Sequence, residues 1–244
     1  MDITMNNMVD IHSHILPNID DGSKSLEESI TIIKKLEQLG FTDIVFTPHF
    51  ILSTPYQSSI LENQKLLEKI KQNIDSNINL YLGNEVFACM EMVSYLKNMK
   101  MSTINNSRYV LFELPRNSKL NDLNELIFSL KVNKFIPVLA HPERYMILKD
   151  KNVIDDLIER GVYFEVNYES IIGKYGKDVK KTAKYLLKNK KFHFLATDIH
   201  HADSSFFKDF KKIKKKIIRL IGKDYFTKVT YYNPINVIND KDII

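Results

Sequence analysis

The residues with the most chemistry in this sequence are crowded near its start. Val9-Asp10-Ile11-His12-Ser13-His14 sets two histidines at i and i+2. On a strand that spacing sends both imidazoles to one face, within reach of a single metal ion. Met8, Val9 and Ile11 suit a buried strand, and Pro17 ends it. Asp20-Asp21-Gly22 then reads as a turn that brings two carboxylates close behind the histidines. A lone His-x-His arises often by chance, so the weight falls on whether the rest of the chain supplies more donors in equivalent places.

It does. His49 ends Thr47-Pro48-His49, Glu85 ends Gly83-Asn84-Glu85, and Glu113 stands in Phe112-Glu113-Leu114-Pro115. His141 opens His141-Pro142-Glu143-Arg144, and Asp198 and His200 form Asp198-Ile199-His200. Each follows a short apolar run. With His12, His14 and a carboxylate from the Asp20-Asp21 pair, this makes five histidines, four carboxylates and no thiolate. Such a donor set suits Mn, Fe or Zn. It is too large for one ion and fits two or three, with a carboxylate shared between them. Whether Asp20 or Asp21 is the donor depends on a turn geometry that spacing alone leaves open. His193 and His201 fall outside the pattern and read as structural or surface residues.

Elements able to gather these donors can be read from the hydrophobic periodicity. A β-like run followed by a helical run recurs seven times. The runs Met8–His14, Asp43–His49, Ile78–Glu85, Arg108–Glu113, Phe135–His141, Val162–Asn167 and His193–Asp198 read as strands. Helices are expected over Ser25–Leu39, Ser58–Ile74, Glu91–Met99, Asn121–Asn133, Asn152–Arg160 and Asp178–Asn189, with a last one rich in lysine. Repeated βα units with apolar strands predict an α/β fold with a parallel sheet closed into a barrel; a doubly wound open sheet is the alternative. In a βα barrel the strand C-termini meet at one mouth, where active sites lie, and the candidate donors fall at those ends.

The chain has 244 residues, enough for one barrel-type domain, and no linker or low-complexity segment divides residues 1–244. No leader-like segment and no apolar run of about 18 residues appears, so the chain is not expected to be membrane-embedded. Cys89 is the only cysteine, which fits a cytoplasmic protein. The formal net charge of +5 comes largely from Lys208 to Arg219. There Phe206, Phe210, Ile213, Ile217 and Leu220 recur at helical spacing, so the lysines read as the wet face of an amphipathic helix rather than a nucleic-acid patch.

These motifs together resemble the PHP (polymerase and histidinol phosphatase) superfamily, and more closely the manganese-dependent tyrosine-protein phosphatases of bacterial capsule and exopolysaccharide clusters. The likeness runs from Met8 to about His201. Asn18 stands where a glycine is frequent and Thr197 where a serine is. The resemblance implies a distorted TIM-like (β/α)7 barrel of the PHP type. It also implies a trinuclear site, with His12, His14, Glu85 and Asp198 on a first ion. Glu85, Glu113 and His141 would hold a second, and Asp21, His49 and His200 a third, with Asp20 as fallback for Asp21. The implied partner is a phosphotyrosine protein, a bacterial tyrosine kinase controlling capsule synthesis.

The expected chemistry is attack on phosphorus by a hydroxide generated at the metals. Arg144 can project into the same mouth and grip phosphate oxygens in bidentate fashion; an ion pair with Glu143 is the competing use of its side chain. A cysteine-phosphatase loop is excluded, because the residue six after Cys89 is Tyr95. No DxDx[TV] motif for a covalent aspartate appears either. Loop aromatics Phe50, Tyr56, Tyr168 and Tyr175 are expected to flank the substrate ring. A small-molecule phosphatase such as histidinol phosphatase is the alternative within the same chemistry.

Overall fold

The structure is a computed structural model that describes residues 7–115 and 120–243. Its strands are β1 (Met8–Asp10), β2 (Phe41–Phe46), β3 (His49–Phe50), β4 (Asn79–Leu82), β5 (Glu85–Phe87), β6 (Tyr109–Glu113), β7 (Ile136–Ala140), β8 (Tyr163–Asn167) and β9 (Phe194–Ala196). The helices between them are α1 (Leu26–Gln38), α2 (Ile60–Asn73), α3 (Met92–Lys97), α4 (Leu120–Val132), α5 (Lys151–Glu159), α6 (Lys177–Lys188) and α7 (Ser205–Ile221). Two shorter helices, α8 (Lys223–Thr227) and α9 (Asn233–Ile238), finish the chain.

Local chemistry sets the helix starts. Ser25 accepts the Glu28 N–H at 3.1 Å, while the Glu28 carboxylate reaches back to the Lys24 N–H at 2.8 Å, in the manner of a capping box. Ser59 caps α2 through the Glu62 N–H.

Among the described residues every strand pairing is parallel. The second expected strand is interrupted at Thr47-Pro48, dividing it into β2 and β3, and the third at Gly83-Asn84, dividing it into β4 and β5. The ladders are accordingly β1-β2-β4 and β3-β5-β6-β7-β8-β9. Proline lacks the ladder N–H, which suits a break at that place. The first and last strands meet through one parallel bridge, Ser13 to Ile199, with the Asp198 N–H donating to the His12 carbonyl. Seven strand positions thus follow one another around a distorted barrel.

Alternation along the strands divides the core. Val110 and Phe112 turn outward to the helices, whereas Tyr109 and Leu111 turn inward with Val9, Val45, Val138 and Phe194. The inner cluster is completed by Val237 and Ile238 of α9. This tail plugs the barrel end opposite the candidate donors.

His193, outside the donor pattern, lies near that closed end, its carbonyl accepting from Asn233 Nδ2 of α9. Its N–H donates to the Phe164 carbonyl at 2.9 Å, and its Nδ1 accepts the Phe164 N–H at 3.0 Å. A nitrogen that accepts cannot carry a proton, and burial, with Lys228 nearby, pushes His193 down to about 4. The unfolded chain therefore takes up this proton first as pH falls. The contribution is whole above about pH 6.5 and lost between 6.5 and 4, up to about 3 kcal/mol. Urea unfolding across that window is expected to show a steeper loss in wild type than in His193→Gln. Parallel curves would remove His193 from the acid response.

Candidate metal centre

The strand ends bring the candidate donors together around Glu85, which is buried on β5. Glu85 Oε2 lies 3.3 Å from His12 Nε2, 3.4 Å from His14 Nε2 and 3.0 Å from His49 Nδ1. Its Oε1 lies 2.8 Å from His141 Nε2. Three overlapping groups have donor atoms all within 4.8 Å of one another: His12, His14 and Asp198; His49, Glu85 and Glu113; and His14, Asp21, His49 and His200. His141 joins the second group through Glu85 and lies 3.9 Å from Glu113 Oε2. The nine residues singled out in the sequence therefore form one cluster.

Behind the imidazoles stands a second ring of partners. His12 Nδ1 lies 2.9 Å from Glu165 Oε2, His14 Nδ1 lies 2.8 Å from Asp20 Oδ2, and His141 Nδ1 lies 3.1 Å from the Tyr145 hydroxyl. His200 Nδ1 is 2.9 Å from the Asp198 carbonyl. An outer N–H donated to a carboxylate or carbonyl leaves the inner nitrogen's lone pair facing the cluster, the arrangement that metal-binding histidines use. The geometry also separates the two aspartates of the turn. Asp20 turns inward, holding His14 and the His49 and Gly22 N–H groups. Asp21 faces His49 and His200, at 3.4 and 3.5 Å.

Sequence reasoning missed Glu165 and Tyr145. The signal for Glu165 was a carboxylate in the middle of an otherwise apolar strand, the same mark borne by Asp10. Asp10 accepts the Thr197 hydroxyl at 2.5 Å and its N–H at 3.0 Å, and burial raises it to about 7. It ties the first strand to the last beneath the cluster.

Several donors are held by unusual backbone. His141 and Asp198, at the ends of β7 and β9, have φ of 34° and 52°. Left-handed conformations at non-glycine residues are costly and cluster where function demands them. Asn18 has φ 57°, which asparagine tolerates better than most residues. Gly22 is required for another reason: a Cβ there would lie 2.1 Å from the His14 carbonyl oxygen. The Asp20-Asp21-Gly22 turn thus rests directly on the second histidine.

The charges fit divalent cations. Burial works against ionisation throughout, yet His14 is held well above its usual range by Asp20, Asp198 and Glu85, and His12 by Glu85, Asp198 and Glu165. Glu85 and Asp198 are held well below theirs, by His12 and by Arg144 respectively. His49 is raised to about 9 by Glu113 and Glu85, against burial and the His14 charge. A pocket of buried carboxylates demands positive charge, which divalent ions would supply in place of protons. His49 Nδ1 and Glu85 Oε2, 3.0 Å apart, make no hydrogen bond among the described residues. That is the geometry of donor atoms aimed at a common point, and the N/O donor set has the chemistry to match.

Arg144 is placed differently from the alternative considered above. It pairs with Asp198 Oδ2 at 2.7 Å rather than with Glu143, and its guanidinium lies 3.9 Å from the Tyr175 ring centre. Glu143 turns inward, accepting the Ser170 hydroxyl and the Asn167 N–H. Asn167 Nδ2 donates to the same Asp198 oxygen at 2.7 Å, which leaves Oδ1 toward the histidines. Arg144, Lys174, Tyr175, His200 and His201 border a cleft of about 360 Å³ beside the cluster.

Two of the four expected aromatics are elsewhere. Tyr168 is fully buried against Phe41, Phe206 and Phe210, and Phe50 is buried against Tyr95. Hydrophobic burial claimed both: Phe50 closes β3 and Tyr168 directly follows β8, and each side chain joins the apolar layer between strands and helices. Tyr56 and Tyr175 do reach the mouth, stacking on His49 and Arg144.

Comparison with known proteins accords with this arrangement. Residues 8–239 match the family model for capsular polysaccharide synthesis, CpsB/CapC. The chain is 34% identical over 197 residues to the putative tyrosine-protein phosphatase CapC of Staphylococcus aureus, covering 79% of this chain and 77% of that protein. It is 30% identical over 205 residues to the tyrosine-protein phosphatase CpsB of Streptococcus agalactiae, covering 80% and 84%. Its fold matches a chain from the crystal structures of YwqE from Bacillus subtilis and CpsB from Streptococcus pneumoniae, metal-dependent tyrosine phosphatases. That match has a TM-score of 0.84 at 24% identity, over 97% of this chain and 96% of the other. The fold of a histidinol phosphate phosphatase from Lactococcus lactis is more distant, with a TM-score of 0.56 at 15% identity, over 86% and 93%. With the match spanning nearly all of the described residues, the chain belongs to the CpsB/CapC family of capsular polysaccharide synthesis proteins.

Proposed function

We propose that this chain is a metal-dependent protein-tyrosine phosphatase, a phosphoric monoester hydrolase acting on phosphotyrosine. The observation that carries the reading is the convergence of nine N/O donors on Glu85 beside an arginine-bordered cleft. Family membership supports it, since the relatives at 30% identity and above bear tyrosine-phosphatase names. The proposed sets are His12, His14, Glu85 and Asp198; Glu85, Glu113 and His141; and Asp21, His49 and His200. Manganese is the proposed metal, two or three ions per chain, with iron or zinc compatible with the same donors. The substrate is proposed to be a bacterial tyrosine kinase of capsule or exopolysaccharide synthesis, met in the cytoplasm. One catalytic domain spanning the chain is proposed to suffice. No helix among the described residues is long and apolar enough to cross a membrane.

Bound divalent ions lower the pKa of water toward about 7 and so supply hydroxide at neutral pH. The chain's own residues do the rest. The Arg144 guanidinium, held by Asp198 on one side and Tyr175 on the other, offers its remaining N–H groups to phosphate oxygens. Tyr56 and Tyr175 stand at the rim, where a phenyl ring would enter. Phenolate, with a pKa of about 10, leaves far more readily than a serine alkoxide. A mouth with no evident protonated side chain committed to the leaving oxygen therefore favours aryl esters.

The test is turnover of the manganese-loaded enzyme on phosphotyrosine peptide, phosphoserine peptide and histidinol phosphate. Phosphotyrosine is expected to be preferred; preference for histidinol phosphate would move the protein to the small-molecule reading. On the phosphotyrosine peptide, Arg144→Ala is expected to lower turnover by roughly one to three powers of ten, the scale of losing one electrostatic donor. An equally fast variant would reduce Arg144 to a structural partner of Asp198.

A further inference from the structure

The helices α6 and α7 lie side by side on the outside of the barrel. Between them they carry twelve lysine or arginine side chains and two aspartates. Their net charge of +10 exceeds the +5 of the whole chain, so everything else is acidic on balance. The inner faces are apolar: Ala183, Leu186 and Leu187 on α6, and Phe206, Phe210, Ile213 and Ile217 on α7, are buried. The outer positions, Lys177, Lys181 and Lys188 on one helix and Lys208, Lys211, Lys212, Lys215 and Arg219 on the other, are exposed. The charges form one field. Lys216 is held below the usual lysine range by partial burial and by the ammonium groups of Lys180, Lys184 and Lys212, which come from both helices.

We infer that this face adsorbs the protein onto an anionic phospholipid surface. Eleven of the twelve cations are lysine. Arginine is the residue suited to bidentate reading of phosphates and bases and to stacking, which a nucleic-acid site would use. A specific protein interface would be enriched in aromatic, Met and Arg side chains and depleted in lysine. None of the large apolar side chains that stand exposed among the described residues lies on either helix. What is left is a polar, lysine-studded face about 25 Å long, suited to diffuse attraction rather than to insertion. Each lysine near an anionic leaflet contributes on the order of a few-fold in partitioning. The face begins near Lys174, which borders the cleft, so an adsorbed molecule keeps its cleft open along the membrane plane.

Co-sedimentation with vesicles tests this. One set is phosphatidylcholine alone; the other contains about one third phosphatidylglycerol, and both are run at low salt and at about 0.5 M salt, where screening is strong. The protein is expected to bind only the anionic vesicles, and only at low salt. The triple variant Lys211→Glu, Lys212→Glu, Lys215→Glu is expected to lose at least about tenfold in partitioning, and the glutamine triple at the same positions less, in the same direction. Both are expected to keep wild-type turnover of p-nitrophenyl phosphate. A control with the same change in net charge, Lys34→Glu, Lys65→Glu, Lys97→Glu, on α1, α2 and α3, is expected to bind like wild type. Three results would overturn the inference: no binding to anionic vesicles, equal losses in both glutamate triples, or tighter salt-sensitive binding to duplex DNA or polyglutamate than to vesicles.

Discussion

Chelation is expected to abolish phosphatase activity, and manganese to restore it best among Mn, Fe and Zn. The one thiol of the chain is not placed to serve as a nucleophile instead. Cys89 is half-buried, and burial, with Glu91, raises its thiol, so it is a poor source of thiolate. It borders a cavity other than the arginine-bordered cleft, beside Met90 and Leu114. What the mouth does contain is a set of carboxylates and imidazoles whose lone pairs converge. Ions bound there stabilise the folded state by mass action, about 2.7 kcal/mol at a hundred times the dissociation constant. Metal-free protein is therefore expected to melt at lower temperature and to recover with manganese. Atomic absorption, thermal unfolding and turnover measured on one preparation check the three together. Full activity in metal-free protein would end the metallophosphatase reading.

Glu85→Gln is expected to be the most damaging conservative substitution in the chain. Its two carboxylate oxygens lie within 3.4 Å of four imidazoles, a position no other donor shares. The amide keeps the volume but removes a buried negative charge and turns one oxygen into an N–H donor facing lone pairs. Metal affinity should fall by at least the ten- to hundredfold that even outer partners of metal ligands cost. Turnover should fall by roughly a thousandfold or more, the upper range for losing one preorganised electrostatic group. The fold should survive, because the side chain stands at a strand end and not among the apolar residues of either cluster. Metal titration by calorimetry and kinetics at saturating manganese separate the two effects. Wild-type turnover at full metal occupancy would show that Glu85 does not bridge the site.

Much of the architecture was legible because the barrel repeats one local rule. Largely apolar runs of six to eight residues followed by capped amphipathic helices can be read from period and cap chemistry alone, as the Ser25 to Glu28 capping box illustrates. Placing most of the donors needed only that they lie at or just past the C-terminal ends of the expected strands, since a parallel barrel brings such ends to one mouth; His49 and Glu85 in fact open β3 and β5 just past the breaks, and Asp21 sits in a turn. Breaks inside strands were less legible. Pro48 signals one, but the break at Gly83-Asn84 is set by the turn itself: Asn84 donates to the Pro48 carbonyl at 3.0 Å and accepts the Ser102 N–H at 2.8 Å, and both partners are distant in sequence.

The residue types and spacing by themselves determined that nine nitrogen and oxygen donors would meet at one end of a parallel βα barrel, because strand ends and alternation are local properties. Tertiary structure alone decided what those donors lean on. Asp20 and Asp21 are adjacent and chemically identical, yet one holds His14 from behind while the other faces His49 and His200. That choice depends on how a turn without side-chain room at Gly22 lands on a neighbouring carbonyl. Glu165 meets His12 from 153 residues away, and Arg144 meets Asp198 from 54. Tyr168 fills the core while Tyr175, seven positions later, reaches the rim. Spacing cannot separate such cases, because the partner each side chain finds is set by the packing of elements that only the closed barrel brings together.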